Sequence, residues 1–150
     1  MSDAAGPTTL QELIAAATER IERRTPAAAY EATQNGALLI DIRSSEDRER
    51  EGIVPGSLHL PRTVLEWRLA PDSEWRNPHV GGLDREIILL CDHGCSTLLA
   101  TATLVDLGLT RASDVVGGFR AWRADGLPVA PAPTRHREPG ELAGMTGPDD

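Results

Sequence analysis

Apolar residues cluster in short runs along this chain, and polar or turn-forming residues separate them. In LQELIAAATERIERR (10–24), Leu10, Leu13, Ile14, Ala17 and Ile21 fall on one helical face, and Thr8 or Thr9 can cap the start. The pattern predicts a helix through Arg24. Thr25-Pro26 begins a second, PAAAYEATQNG, with Thr as cap, Pro in the first turn and Asn35-Gly36 as the stop. ALLIDIR (37–43) and EIILL (86–90) are nearly continuous apolar runs, which suits strands covered on both faces. A polar turn capped by Ser44 or Ser45 follows the first, then a VPGS turn and a short strand over 57–60. TVLEWRL is compatible with a helix, and the stretch from Ala70 to Asp84 reads as loop. TLLATATLVDLGL (97–109) predicts a helix with Leu98, Leu99, Ala102, Val105 and Leu109 on one face. SDVVGG (113–118) reads as a strand and FRAWRADG (119–126) as a closing helix. From Pro128 onward Pro, Gly and charge dominate, as in a tail. No internal repeat is present. Strands alternating with helices over most of the chain predict an α/β fold with a parallel sheet.

A chain of 150 residues suits one domain with a true core. Aromatic residues make up 3%, so Leu, Ile, Val and Ala must fill that core. The net charge of −8 argues against nucleic acid and anionic membranes as partners. All 15 basic residues are Arg, as GC-rich coding would favour. MSDAAGPTT lacks the basic and apolar regions of a secretory signal, and no run approaches the ~20 apolar residues of a membrane span. A cytoplasmic location is expected, with no membrane partner.

Both cysteines lie in LLCDHGCST (89–97), too few and too clustered for a disulfide scaffold. Cys91 ends a strand and a helix begins near Thr97. In open α/β sheets that edge is where ligands bind. Inward-turned N–H groups of the loop, the helix N-terminus, Gly94 at the tight turn, and the hydroxyls of Ser96 and Thr97 would form an anion cradle around the sulfur. A thiol so placed ionises readily. The same cysteine would also serve as a small buried residue closing a strand. A metal site built on Cys91, His93 and Cys95 lacks a fourth ligand, since His59, His79 and His136 show no paired spacing. No metal and no cofactor are therefore expected. A cysteine-dependent phosphatase requires an arginine six residues after the nucleophile, where this chain has Thr97.

Four blocks, in order, resemble the rhodanese (sulfurtransferase) family. LLIDIR followed by Glu46 is similar to its opening strand motif, and GIVPGSLHLP (52–61) to its Gly-His-Ile-Pro-Gly-Ala segment. CDHGCST resembles its Cys-x-x-Gly-x-Ser active loop, and GGFRAWRADGLPV (117–129) its closing signature. The resemblance implies a mainly parallel sheet of about five strands with helices on both faces. The expected division is an N-terminal extension with one helix over 1–24, a rhodanese-like domain over 25–130, and a flexible tail over 131–150. It also implies that Cys91 is the nucleophile. Its thiolate would take a sulfur from thiosulfate or a low-molecular-weight persulfide, become a persulfide, and pass the sulfur to a thiol or cyanide. A binding or persulfide-sensing module on the same fold is the alternative.

The chain departs from that family at particular residues. Ile53 stands in place of the usual His, and Ser96 where many relatives carry Arg. Asp92 puts a carboxylate beside the nucleophile, which raises a thiol's pKa unless it points away. Arg62 or Arg68 could supply the missing positive charge. Asp41 and Arg43 would brace the edge of the site, with Asp41 the nearer to the loop. His93 is expected to hydrogen-bond within the loop or to carry a proton. Cys95 is either a small loop residue or a second thiol that resolves the persulfide as a Cys91–Cys95 disulfide. Trp122 is expected in the core, and the 10–24 helix is expected to pack as a cap.

Overall fold

The computed structural model describes residues 6–133, so most of the expected tail lies outside the described residues. Helix α1 (Leu10–Arg20) opens on a capping box, in which Thr9 and Glu12 each accept the other's backbone N–H. The helix stops at Arg20, four residues before its expected end. Ile21 turns extended and Glu22–Arg24 becomes strand β1. Helix α2 (Pro26–Gln34) starts on the Thr25 cap, with Pro in its first turn. Then come strand β2 (Leu38–Asp41), helix α3 (Ser45–Glu51) capped by Ser44, and the two-residue strand β3 (Leu58–His59). Helix α4 (Leu65–Leu69) settles TVLEWRL as helical in part, and the segment to Arg85 is loop apart from a 3₁₀ turn at Pro78–Val80. Strand β4 (Ile87–Leu90), helix α5 (Ser96–Asp106), strand β5 (Ala112–Val115) and helix α6 (Gly118–Ala124) complete the described chain.

The five strands form one sheet in the order β1-β5-β4-β2-β3, every pair parallel. The chain leaves β2 toward β3 on one side and leaves β4 toward β5 on the other. Between those diverging connections lies the switch point at which α/β sheets form their ligand crevices. Successive side chains of β4 point to opposite faces, so its four apolar residues build both halves of the core. Ile87 and Leu89 pack with Leu65, Leu69, Ala100 and Leu104, under α4 and α5. Ile88 and Leu90 pack with Ala29, Phe119 and Trp122, under α2 and α6. Trp122 is fully buried, edge-on to Tyr30 at 5.8 Å, with its indole N–H donated to the Pro128 carbonyl at 2.8 Å.

Two differences from the sequence reading follow from tertiary partners. Residues 128–130 are held: Ile53 and Ala130 exchange backbone hydrogen bonds at 2.8 Å each way, an antiparallel bridge. Helix α1 docks on α5 through Ala17, which packs with Leu98 and Ala102. Leu10, Leu13 and Ile14, which periodicity placed on the same face, stay exposed. No helix among the described residues is long and apolar enough to cross a membrane.

Candidate active site

Cys91 follows β4 directly, and α5 begins at Ser96 with Cys95 as its N-cap residue. The loop between them must reverse direction in four residues, and Gly94 makes this possible with φ at +84°. A Cβ at Gly94 would lie 2.7 Å from the Gly117 nitrogen, so the loop also rests on β5's exit turn. In that position the Gly94 N–H donates to the Cys91 sulfur at 3.1 Å. The Thr97 hydroxyl lies 3.4 Å from the same sulfur. Burial pushes the thiol up, but the hydroxyls of Ser96 and Thr97 and the N–H groups of Thr97 and Gly94 outweigh it, so Cys91 ionises below an ordinary cysteine. The structure thus brings Gly94, Ser96 and Thr97 together around the Cys91 sulfur. Cys91 is 5% exposed.

The loop is held from behind by α6. Phe119 N–H donates to the Cys91 carbonyl at 2.7 Å, and Arg120 N–H to that of Asp92 at 3.1 Å. This contact is possible only with glycine at 118, where a Cβ would come within 2.4 Å of the Cys91 oxygen. Spacing gave no role to Gly117-Gly118, although the pair stands in the sequence as a signal for positive φ.

Asp92 turns aside from the sulfur. Its Oδ2 accepts from Arg120 Nε at 3.1 Å and lies 3.0 Å from His93 Nδ1. Partial burial raises its pKa, but the hydrogen bond and charge of Arg120 bring it below the usual carboxylate range. Asp92 is therefore an anion already matched by a cation. His93 is exposed and spends its Nδ1 on Asp92. Cys95 is exposed and Cys91 buried, both as free thiols.

The supporting residues are arranged differently from expectation. Asp41 is fully buried, but its carboxylate is taken by Arg43 and Arg48, at 2.8 and 3.3 Å. The link toward the loop falls to Arg43 instead, whose guanidinium lies 4.0 Å from the centre of the Phe119 ring. Arg62 is committed to Glu66 by two bonds of 2.8 and 2.9 Å. Arg68 is buried and donates to the Trp75 carbonyl at 2.7 Å, bracing the loop after α4. Both guanidiniums bond partners outside the cysteine loop. Besides Arg120, the arginine that reaches the loop is Arg23 of β1, which donates to the Gly94 carbonyl at 2.7 Å. Nothing in its local sequence marks it, because its partners lie far along the chain.

Among known families, the chain matches the rhodanese-like domain over residues 25–125. It is 31% identical over 103 residues to the thiosulfate sulfurtransferase GlpE of Pseudomonas savastanoi, covering 69% of this chain and 88% of that one. It is 33% identical over 98 residues to the chloroplastic thiosulfate sulfurtransferase 16 of Arabidopsis thaliana, covering 63% and 80%. A solved structure from Rhodopseudomonas palustris, described as a protein of unknown function and possible tyrosine phosphatase, superimposes with a TM-score of 0.74 at 31% identity, covering 84% of this chain and all of that one. The phosphatase description does not carry over to this loop. Its sixth position holds Thr97, bonded to Asp114, and no guanidinium stands there to clamp a phosphate. With its fully parallel sheet, its cysteine loop at the switch point and the match over residues 25–125, the chain belongs to the rhodanese-like domain family.

Proposed function

We propose that the protein is a rhodanese-type sulfurtransferase with Cys91 as its nucleophile. The observation that carries this is the Cys91 sulfur itself, which accepts the Gly94 N–H at the N-terminal end of α5 and ionises below an ordinary thiol. The Cys91 thiolate attacks the outer sulfur of thiosulfate, an S–S bond forms, and sulfite leaves with the electron pair of the broken bond. With a persulfide donor, the leaving group is the donor's thiolate. The terminal sulfur of the Cys91 persulfide then accepts attack by a thiolate or cyanide, and the Cys91 thiolate returns. Thiolate and persulfide are both anions, so one set of N–H and O–H donors stabilises each without a side-chain base.

The two free thiols suit a reducing compartment, in keeping with a cytoplasmic location. The test is incubation with thiosulfate and, separately, with glutathione persulfide, followed by mass spectrometry. The expected product is one added sulfur on Cys91, lost on adding cyanide, and absent from a folded Cys91→Ser variant. Sulfur transfer retained in that variant would falsify the assignment. A chain that gains no sulfur from either donor is instead a binding module on this fold.

A further inference from the structure

Behind the loop, Cys91 heads a buried chain of hydrogen bonds that leads out of the site. Thr97, fully buried, faces the sulfur at 3.4 Å and donates its hydroxyl proton to Asp114 Oδ2 at 2.7 Å. Asp114, also fully buried, sits in β5 and receives a two-point fork from Arg23, Nε to Oδ1 at 2.8 Å and Nη2 to Oδ2 at 2.9 Å. The same Nη2 holds the Gly94 carbonyl at 2.7 Å, while the Gly94 N–H holds the sulfur. Arg23 therefore reaches Cys91 along two routes. It lies outside the span that matches the family, on a strand paired to β5 in the register Arg23 to Asp114.

The chemistry of this chain turns on one proton. A hydroxyl has a single hydrogen to donate, and Thr97 has two acceptors within reach. A carboxylate is the stronger acceptor, so at rest the hydroxyl points to Asp114 and offers the sulfur a lone pair. That arrangement matches a Cys91 thiol donating to Thr97. Once the sulfur becomes thiolate or persulfide it too is an anion, and it competes with Asp114 for the same hydroxyl. Asp114 then keeps the Arg23 fork and is not left as an unpaired buried charge.

We propose that Arg23 and Asp114 are positioning residues for sulfur transfer, holding Thr97 as a two-way donor that serves Asp114 when Cys91 is a thiol and the sulfur when it is an anion. The proposal rests on Cys91 as the reacting thiol. The other charged groups around the loop are engaged with one another and not with the sulfur. Asp92 is held by Arg120 of α6 and by His93, while Arg43 is held by Asp41 of β2 and pairs with Glu51 of α3.

The test measures the pH dependence of Cys91 alkylation by iodoacetamide, in a Cys95→Ser background so that one thiol reports. Asp114→Asn weakens the competing acceptor and removes a nearby negative charge. The midpoint is expected to fall by about one pH unit, which is roughly tenfold more thiolate at neutral pH. In a Thr97→Val background the same substitution is expected to shift the midpoint by less than half as much, because the hydroxyl that carries the effect is gone. An unchanged midpoint in folded Asp114→Asn overturns the proposal. So does an equal shift in both backgrounds, which would mean charge acting through space alone. Where Asp114→Asn does not fold, Arg23→Gln decides: Asp114 must then lean on Thr97, and the midpoint should rise. A midpoint that stays put in that variant also overturns the proposal. Alkylation reads the thiol and not its turnover, so failure of sulfur transfer would sink the function and leave this measurement intact.

Discussion

Gly118 shows how much of the site depends on an atom that is not there. The Cys91 carbonyl and the Phe119 N–H meet at 2.7 Å because position 118 has no Cβ to come between them, at a φ of +63°. Gly118→Ala must therefore move either the loop or the start of α6. It is expected to cost about 1–3 kcal/mol in chemical denaturation and to slow sulfur transfer at least tenfold, as measured by thiocyanate formation. At this scale part of the site was legible in the sequence. Cys91, Gly94, Ser96 and Thr97 stand together in one loop, where spacing suggested a cradle and the family resemblance implied the nucleophile. Asp92 was legible as a hazard but not as a solved one, since its partner Arg120 lies on another helix. Arg23 and Asp114 stayed hidden because neither means anything without the other, and they are 91 residues apart. Arg62 was misplaced for the converse reason. Its real partner was four positions away, at the ordinary spacing of a helical ion pair.

Helices α1 and α5 show where periodicity stops being informative. A face read from spacing assumes one buried side, but α5 is covered twice. Ala100 and Leu104 meet the sheet while Leu98 and Ala102 meet α1. On α1 the contact runs through the smallest residue of the apolar stripe, which lets two helix backbones approach closely. Ala17→Leu, a gain of hydrophobicity, is thus expected to lower stability by about 1–3 kcal/mol through overpacking. Leu10→Ala, a loss on the nominally equivalent face, should stay within about 0.5 kcal/mol. Thermal and denaturant unfolding of the two variants checks the pair, and the sequence reading would rank them the other way. The end of α1 makes a related point. ERIERR has good helix formers, yet β1 wins because the sheet supplies backbone partners along with the ion pairs of Arg23 to Asp114 and Arg24 to Glu86.

At the scale of the molecule, the α/β class, the parallel sheet and the place of the cysteine loop were all readable, because buried parallel strands announce themselves as apolar runs. Of the two outer strands, β3 was readable as the short strand over 57–60, while β1 was hidden inside a helical pattern. β1 has three residues, too few to break the helical periodicity that runs into it. The shorter-looking detail has a large consequence. The family match begins at residue 25, just past β1. A fragment trimmed to that point would keep the whole cysteine loop and lose the fork on Asp114, leaving a buried carboxylate with its main counter-charge gone. The loss is expected to be about 3–5 kcal/mol, visible as an earlier denaturant midpoint. It would also bare the flank of β5 that now pairs with Glu22, Arg23 and Arg24. An uncovered strand flank is a template for another chain. Such a fragment should self-associate more strongly than the full chain as its concentration rises, as read by light scattering. β1 is then a seal as much as a strand, and the span that matches the family leaves out the residues that cover this flank of β5.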